Sequence, residues 1–194
     1  LSLQRCVSTD PETGKPEHDE TLFIVIHQVY ELWFKQLLHE LDYVTTLLDA
    51  DKVHASGHRL KRVLKILKTL VGQVDVLETM TPAEFASFRS FLANASGFQS
   101  AQFRELEFLL GIKDRVQVEW FRGEGGDRLQ ARYDAPTLWD AVLHLLGRAG
   151  YDLPATALQR DVRETVTEDE GVQAAIVSCY ADDGFASLCE TLTD

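Results

Sequence analysis

Cysteine is scarce in this chain of 194 residues: Cys6, Cys179 and Cys189 are widely spaced and form no CxxC pair. Three scattered thiols predict free, structural cysteines in a reducing compartment, so we expect a cytoplasmic protein. No apolar run approaches the roughly eighteen residues that span a bilayer, and no segment resembles a signal peptide. The GxGxxG, Walker A and GxSxG motifs are absent, which disfavours a nucleotide-binding enzyme or a serine hydrolase.

Positive charge is also in short supply. The chain has 19 lysines and arginines against 31 aspartates and glutamates, a formal net charge of −12 at pH 7. This balance argues against nucleic acid or an anionic membrane surface as a partner. Five prolines, no internal repeat and no convincing strand alternation favour an all-α fold. We expect one helical domain over 1–194, with a turn-rich segment at 1–17 and an irregular, exposed loop at about 112–126.

The chain does have one long apolar stretch, from His18 to Asp42, without Gly or Pro. A helix is expected here. With a rotation of about 100° per residue, His27 lies at the margin of a broad apolar arc. An arc of this width predicts that the helix is buried over most of its circumference. The arc comprises Leu22, Phe23, Ile26, Tyr30, Trp33, Phe34 and Leu37. Two interpretations of His27 remain open. It is a core histidine satisfied by a neighbouring carbonyl or carboxylate, or a polar group in an aromatic pocket that meets a ligand N–H or a reacting proton.

A second long helix is predicted at about 52–78, with an apolar stripe on one side and a basic face that we interpret as solvated on the other. The stripe comprises Leu60, Val63, Leu64, Leu67, Leu70, Val71, Val74 and Leu77. His54 and His58 have the i, i+4 spacing of paired metal ligands, but no third ligand is nearby in the sequence. We therefore expect no metal site there.

The sequence TPAE at 81–84 is a strong helix start, in which Thr81 caps, Pro82 suits the first position and Glu84 closes a capping box. The helix it opens is short and aromatic, and Phe85 and Arg89 project from one side. Two interpretations of Arg89 remain open: stacking with an ion pair to a glutamate, or a fork for a carboxylate or phosphate. Further helices are predicted at 98–110, at 136–148 and from a second capping box at Thr167 through Ala181, with an interruption at Gly184.

Three blocks of the sequence together resemble a known family, the tryptophan 2,3-dioxygenases. They are HDETLFIVIHQVYELWFKQLLHELD at 18–42, VLETMTPAEFASFRSFL at 76–92 and ASGFQSAQFRELEFLLG at 95–111. The resemblance implies an all-α helical bundle of the tryptophan/indoleamine dioxygenase type, assembled as a homotetramer. It also implies haem b as cofactor and L-tryptophan and O₂ as substrates. The family opens the indole C2–C3 bond to give N-formyl-L-kynurenine, the first step of the kynurenine pathway of tryptophan catabolism.

The resemblance implies a role for each matching residue near the substrate. The segment that lines the substrate pocket matches Phe23, Ile24, Val25, Ile26 and His27. In this segment His27 is expected to be the distal, catalytic histidine that accepts the indole N–H, and whether it also acts as a base stays open. Phe23 is expected to pack against the indole ring.

The resemblance extends to the second and third blocks. Arg89 matches the arginine that grips the substrate carboxylate. Phe85 matches a position that is Tyr or Phe in the family, and with Phe a possible hydroxyl contact to the carboxylate is lost. Ser96 and Gly97 match a loop close to the haem and the substrate.

The proximal haem-ligating histidine of the family is expected beyond Asp194, so no metal ligand is identified in this sequence. The remaining histidines match no axial ligand, and these are His18, His39, His54, His58 and His144. We therefore interpret the chain as part of a longer enzyme, incomplete at both ends. Two alternatives stay open: a haem enzyme of the same superfamily that acts on another aromatic amino acid, and a non-catalytic helical binding or scaffold protein without haem.

Overall fold

The computed structural model describes residues 4–92 and 99–193, which form helices joined by short connections. In chain order the helices are α1 (Glu20–Asp49), α2 (Val53–Leu77), α3 (Pro82–Arg89), α4 (Ala101–Leu109), α5 (Arg115–Trp120), α6 (Gly123–Asp134), α7 (Leu138–Arg148), α8 (Ala155–Leu158), α9 (Glu170–Cys179) and α10 (Asp183–Thr193), with a 3₁₀ turn at Ser90–Leu92. Neither described range contains a strand, so the predicted all-α class is confirmed. Within the same ranges, no helix has the length and apolar character needed to cross a membrane.

The two longest helices, α1 and α2, form an antiparallel hairpin. They meet at a turn in which Asp51 adopts a positive φ of 56°. Two contacts across the hairpin show its direction. Near the turn, Arg62 donates to the Glu40 carboxylate at 2.7 Å, and farther away the Tyr30 hydroxyl donates to the carbonyl of Leu70 at 2.6 Å. The beginning of α1 therefore lies beside the end of α2.

The hydrophobic core lies along the second half of α1. Buried side chains of α2, α4, α7 and α10 pack there around α1, and burying each large aliphatic side chain contributes about 1.5–3 kcal/mol. The cluster includes Leu37, Leu41, Val44 and Leu48 of α1, Leu60, Val63, Ile66 and Leu70 of α2, Leu106 and Leu109 of α4, Val142, Leu145 and Leu146 of α7, and Leu188 of α10. Cys179 and Cys189 are buried in the same core, and both are free thiols as the sequence predicts.

The bounds of α2 agree with the predicted 52–78, but the predicted apolar stripe is not buried over its whole length. Val71 is 71% exposed and Val74 is 40% exposed. The buried hydrophobic residues of α2 are Leu60, Val63, Ile66 and Leu70. Burial stops after Leu70 because the last turns of α2 lie beside the first half of α1, where the core does not extend.

The predicted irregular loop at 112–126 is wrong, since α5 occupies 115–120 and α6 begins at Gly123. The Gly-rich sequence forms the first turn of α6, where the chain packs closely on itself. A Cβ at Gly126 would lie 2.9 Å from the carbonyl oxygen of Phe121, and one at Gly125 would touch Ala101. Close packing therefore favours glycine here, and tertiary contacts override its low helix propensity.

A buried lysine stabilises the end of α6. Lys113 Nζ donates to the carbonyl oxygens of Arg132, Tyr133 and Ala135 at 2.7, 3.0 and 2.8 Å. Carbonyl groups at the end of a helix lack partners within the helix and favour a positive charge. Burial, together with the positive charge of Arg160, lowers the pKa of Lys113 to about 8. This contact helps to explain a helix that the local sequence does not indicate.

The predictions for the last two helices also need correction. The predicted capping box at Thr167 is wrong, because Asp169 caps α9 and accepts from the amide of Val172 at 3.0 Å. Helix α9 ends at Cys179. In the turn that follows, the Asp182 carboxylate accepts a hydrogen bond from the amide of Gly184 at 2.8 Å. Gly184 therefore lies in the first turn of α10 and does not interrupt a helix.

The turn-rich segment before α1 is held by a buried carboxylate. Glu20 is 1% exposed and accepts from the amides of Val7 and Ser8 at 2.8 and 3.0 Å, and from the Ser8 hydroxyl. Burial by itself would raise the pKa of Glu20, but these hydrogen bonds outweigh it and hold the pKa below its ordinary value. Glu20 therefore fixes the segment against the start of the helix that carries His27.

Candidate functional site

The first half of α1, residues 20–34, borders an open cavity, and only its last turn, with Tyr30, Trp33 and Phe34, also packs against the core. Val25 is 40% exposed and Leu32 is 67% exposed, so the expectation of burial over most of the circumference is wrong for this half. The cavity has a volume of about 380 Å³ and lies between α1, the end of α2 and the start of α4. Its lining residues are Ile26, His27, Tyr30, Glu31, Phe34, Val74, Leu77, Ser100 and Phe103. A mostly apolar cavity of this size suits a small aromatic ligand.

His27 lines this cavity in a defined tautomer. Its Nδ1 lies 2.8 Å from the carbonyl oxygen of Phe23, one turn earlier in α1. A carbonyl oxygen only accepts, so Nδ1 carries the proton of the neutral ring and Nε2 keeps the lone pair. Both interpretations from the sequence therefore describe part of the geometry. One ring nitrogen is satisfied by a carbonyl, and the same ring borders a cavity that a ligand can enter.

An aromatic cluster adjoins His27 at the start of α1. The ring of Phe23 lies 4.1 Å from that of His27, 5.7 Å from Phe85 and 5.5 Å from Phe88, measured between centroids. Phe23 and Phe85 border a second cavity of about 440 Å³. Its other lining residues are Leu77, Met80, Thr81 and Pro82, and Leu77 borders both cavities. The aromatic residues of α1 and α3 therefore meet next to the cavity that His27 lines.

Helix α3 is positioned by the capping box that the sequence predicts. The amide of Glu84 donates to Thr81 Oγ1 at 3.3 Å, and the amide of Thr81 donates to the Glu84 carboxylate at 2.7 Å. Arg89 is the last residue of α3 and is exposed. It follows Phe85 by one turn and so lies on the side of α3 that faces Phe23. Among the described residues, Arg89 is not one of those that line the two cavities.

The five consecutive residues predicted to bind substrate do not face one way, because a helix turns by about 100° at each residue. Ile26 and His27 line the first cavity and Phe23 lines the second. Ile24 is half-buried and Val25 is exposed, and neither is among the lining residues. The predicted loop residues, Ser96 and Gly97, lie outside the described residues.

Polar groups at the cavity wall connect α1 to its neighbours. The Tyr30 hydroxyl is bound to the carbonyl of Leu70, and burial raises the pKa of Tyr30. Gln102 Nε2 donates to the carbonyl and to the carboxylate of Glu31 at 3.0 and 2.7 Å. Ser100 caps α4 by accepting from the amide of Phe103 at 3.0 Å.

Sequence reasoning missed the part of the cavity wall that comes from other helices. Tyr30 and Phe34 belong to the aromatic arc of α1 that helical periodicity finds, but Ser100 and Phe103 come from α4. Val74 and Leu77 come from the end of α2, where the predicted apolar stripe continues beyond the core. Only the packing of the three helices brings these residues together.

The fold and the cavity define an all-α protein with a mostly apolar cavity lined by aromatic side chains, and comparison with known proteins places it in a family. The family model described as Tryptophan 2,3-dioxygenase matches residues 1–124. A protein named tryptophan 2,3-dioxygenase from Herpetosiphon aurantiacus is 49% identical over 186 residues, 95% of this chain and 72% of the relative. One of the same name from Anaeromyxobacter sp. is 47% identical over 197 residues, 100% of this chain and 74% of the relative.

The chain belongs to the tryptophan 2,3-dioxygenase family, a family of oxygenase enzymes. The family match includes all of α1, α2, α3 and α4, and with them the residues that line both cavities. These matches confirm the family resemblance that the three sequence blocks indicated.

The chemistry of the first cavity's lining fits one face of a haem site. Apolar and aromatic side chains such as Ile26, Phe34 and Phe103 fit the face of a porphyrin. Of the six histidines, all of which lie in the described ranges, His27 alone borders the cavity, and the five others are exposed. No group of three or more His, Cys, Asp or Glu side chains suited to a metal ion occurs among the described residues.

Proposed function

We propose that this chain works in a haem-dependent tryptophan 2,3-dioxygenase, which opens the indole C2–C3 bond of L-tryptophan with O₂ to give N-formyl-L-kynurenine. The observation that supports this most directly is the family match over residues 1–124, which includes the cavity beside His27. Haem b, when bound, supplies the activation of O₂. We further propose that the working enzyme is a homotetramer, as the family resemblance implies.

The residues of this chain bind and orient the substrate. The lone pair on His27 Nε2 accepts the indole N–H, because Nδ1 is already committed to the carbonyl of Phe23. A buried hydrogen bond of this kind distinguishes an indole from an analogue without the N–H by about 1–3 kcal/mol. Phe23 contributes an aromatic surface for the ring. The apolar lining excludes water, so the chain mainly fixes the reactants relative to each other.

Arg89 is proposed to bind the substrate carboxylate. A guanidinium donates two parallel, charge-assisted hydrogen bonds to a carboxylate, which fixes the orientation of an amino acid as well as its affinity. The position of Arg89 on the Phe85 side of α3 supports this role, since Phe85 packs against Phe23. Ser96 and Gly97 are proposed to lie near the haem and the substrate.

The proposed function is tested by ring opening. The full-length enzyme that contains this chain is purified from cells supplied with a haem precursor and incubated with L-tryptophan and air, and the product is identified by mass spectrometry. We expect a haem absorption band that shifts when L-tryptophan is added, and a product that carries both atoms of ¹⁸O₂. A haem protein whose spectrum does not respond to L-tryptophan would contradict the substrate, and a protein that stays colourless would contradict the cofactor.

The role of His27 is tested with a matched pair of substitutions in one helix. His27→Ala should weaken L-tryptophan binding about tenfold or more, because the indole N–H loses its acceptor. His39→Ala, at an exposed position of α1, should leave binding unchanged. Affinity for 1-methyl-L-tryptophan, which has no indole N–H, should respond less to His27→Ala. Equal losses for both ligands would show that His27 only shapes the cavity.

A further inference from the structure

One polar contact joins the helix that carries His27 to the opposite wall of the cavity. Glu31 lies one turn after His27 and lines the same cavity, and Gln102 lies in the first turn of α4. Gln102 Nε2 donates to the main-chain carbonyl of Glu31 at 3.0 Å and to its carboxylate at 2.7 Å. Both hydrogens of one amide group are therefore used on a single residue that lies 71 positions away in the chain.

We infer that Glu31 and Gln102 form a clasp that sets the width of the cavity and so positions its walls around an indole-sized ring. The inference rests on the proposed function for the identity of the ligand. The clasp fixes α4 at two atoms of α1, so α4 can neither slide along nor lift away from the helix that carries His27. Phe103 follows Gln102 directly, Ser100 is the N-cap two residues before it, and both line the cavity.

The neighbouring contacts explain why the Glu31–Gln102 hydrogen bonds determine the position of α4 relative to α1. The rings of Phe34 and Phe103 make the next contact between α1 and α4, at 5.3 Å between centroids. An aromatic pair keeps its contact over a range of centroid distances and so tolerates small shifts, whereas two hydrogen bonds, one of them to a charged group, fix a position more closely. Loosening the clasp therefore moves Phe103 and Ser100 away from His27 before it disrupts the core, whose α4 members are Leu106 and Leu109. Glu31 and Gln102 therefore act as positioning residues.

The test uses a substitution that keeps shape and removes the donor. Gln102→Met has about the same length and no N–H group. We expect the amides of α4 to exchange with solvent about tenfold faster, the factor that a charge-assisted hydrogen bond supports. We also expect the ratio of the dissociation constants for L-phenylalanine and L-tryptophan, measured by equilibrium dialysis, to fall about tenfold. A wider cavity no longer favours the larger ring.

Two further variants separate positioning from general stability. Gln130→Met removes a similar amide–carboxylate bond, from Gln130 to Asp134 at 2.6 Å, but within the exposed face of α6. It should change neither α4 exchange nor the ligand ratio. The exchanged pair Glu31→Gln with Gln102→Glu restores an amide–carboxylate bond across the gap, so it should recover part of the ratio that Gln102→Met loses.

Several outcomes would overturn the clasp. An unchanged ligand ratio in Gln102→Met, with or without a lower melting temperature, would show that the contact has only a structural role. Unchanged α4 exchange would show that the contact does not hold the helix. If the wild-type chain binds neither amino acid, the proposed function fails, and the exchange measurement alone then decides whether the clasp exists.

Discussion

The two halves of helix α1 are continuous in sequence but serve different purposes. Nine residues of α1 are buried, and seven of them lie from Leu37 onward. Before that point only Glu20 and Ile26 are buried, and large side chains such as Leu32 remain in contact with solvent. The second half stabilises the fold through the core, while the first half forms the wall of a cavity.

This division shows why hydrophobicity alone does not locate a core. Both halves carry similar apolar and aromatic residues, yet the fully buried core residues of α1, which cluster with those of α7 and α10, begin at Leu37. An apolar surface that other helices leave open is available to a ligand. The open half of α1 carries His27, and the closed half holds that histidine on a rigid support.

The largest effect is expected on the free energy of unfolding, which should respond differently to substitutions in the two halves of α1. Leu37→Ala removes a side chain that is fully buried in the core, and it should lower the free energy of unfolding by about 2–5 kcal/mol. The same change at Leu32, which is 67% exposed, should alter it by less than about 0.5 kcal/mol. Urea denaturation followed by circular dichroism measures both.

The Leu32 variant also tests whether the first half of α1 is exposed in solution. If Leu32→Ala proves as destabilising as Leu37→Ala, the face of α1 that carries Leu32 must be covered in solution, and that face would then be an interface. A melting temperature that rises with protein concentration would identify another copy of the chain as the covering surface.

The two halves also differ in what could be predicted from the sequence. The helical period found α1 and α2 because long runs without Gly or Pro have few alternative structures. It could not tell that burial ends beyond Leu70 on α2, since that depends on which helices pack alongside. Helix α6 was missed because its stability comes from partners such as Lys113 and not from its own residues.

Some features of the candidate site could also be predicted from the sequence, and others could not. The resemblance identified the segment containing Phe23 and His27, and the TPAE motif fixed the start of α3 correctly. The lone pair on His27 Nε2 follows from a hydrogen bond that depends on the helix geometry, which no composition or spacing reveals. The clasp between Glu31 and Gln102 joins residues far apart in the chain, so only the folded structure shows it.

A smaller effect on free energy is expected at Arg89, at the edge of the open half. Arg89→Ala should raise the KM for L-tryptophan about a hundredfold, which corresponds to roughly 2–3 kcal/mol of lost charge-assisted hydrogen bonding. Stability should change little because the residue is exposed at the end of α3. Steady-state kinetics together with thermal denaturation measure the two quantities.

A matched arginine provides the control for that prediction. Arg115 is exposed on α5 and pairs with Glu119 at 3.4 Å in the same helix, so Arg115→Ala should leave the KM unchanged. An Arg89→Lys variant that keeps charge but loses the planar fork should fall between the wild type and Arg89→Ala. A wild-type KM in Arg89→Ala would exclude this residue from the site and would restrict the functional wall to α1, α2 and α4.

The smallest expected effect concerns Glu20, the one buried charged group in the open half of α1. Glu20→Gln replaces the charged acceptor of Val7 and Ser8, and it should cost about 1–2 kcal/mol at neutral pH. Because hydrogen bonding lowers the pKa of Glu20 in the folded protein, its contribution is present above the unfolded pKa of about 4.3 and is lost as the pH falls through the folded pKa.

The difference in unfolding free energy between wild type and Glu20→Gln should therefore be constant near neutral pH and should shrink in acid. Glu12→Gln, at an exposed position of the same segment, controls for the loss of one negative charge. Faster amide exchange at Val7 and Ser8 in Glu20→Gln, but not in Glu12→Gln, would show that Glu20 holds the segment locally. A pH-independent difference would instead assign the loss to packing around Glu20, and the open half of α1 would then depend on shape and not on charge.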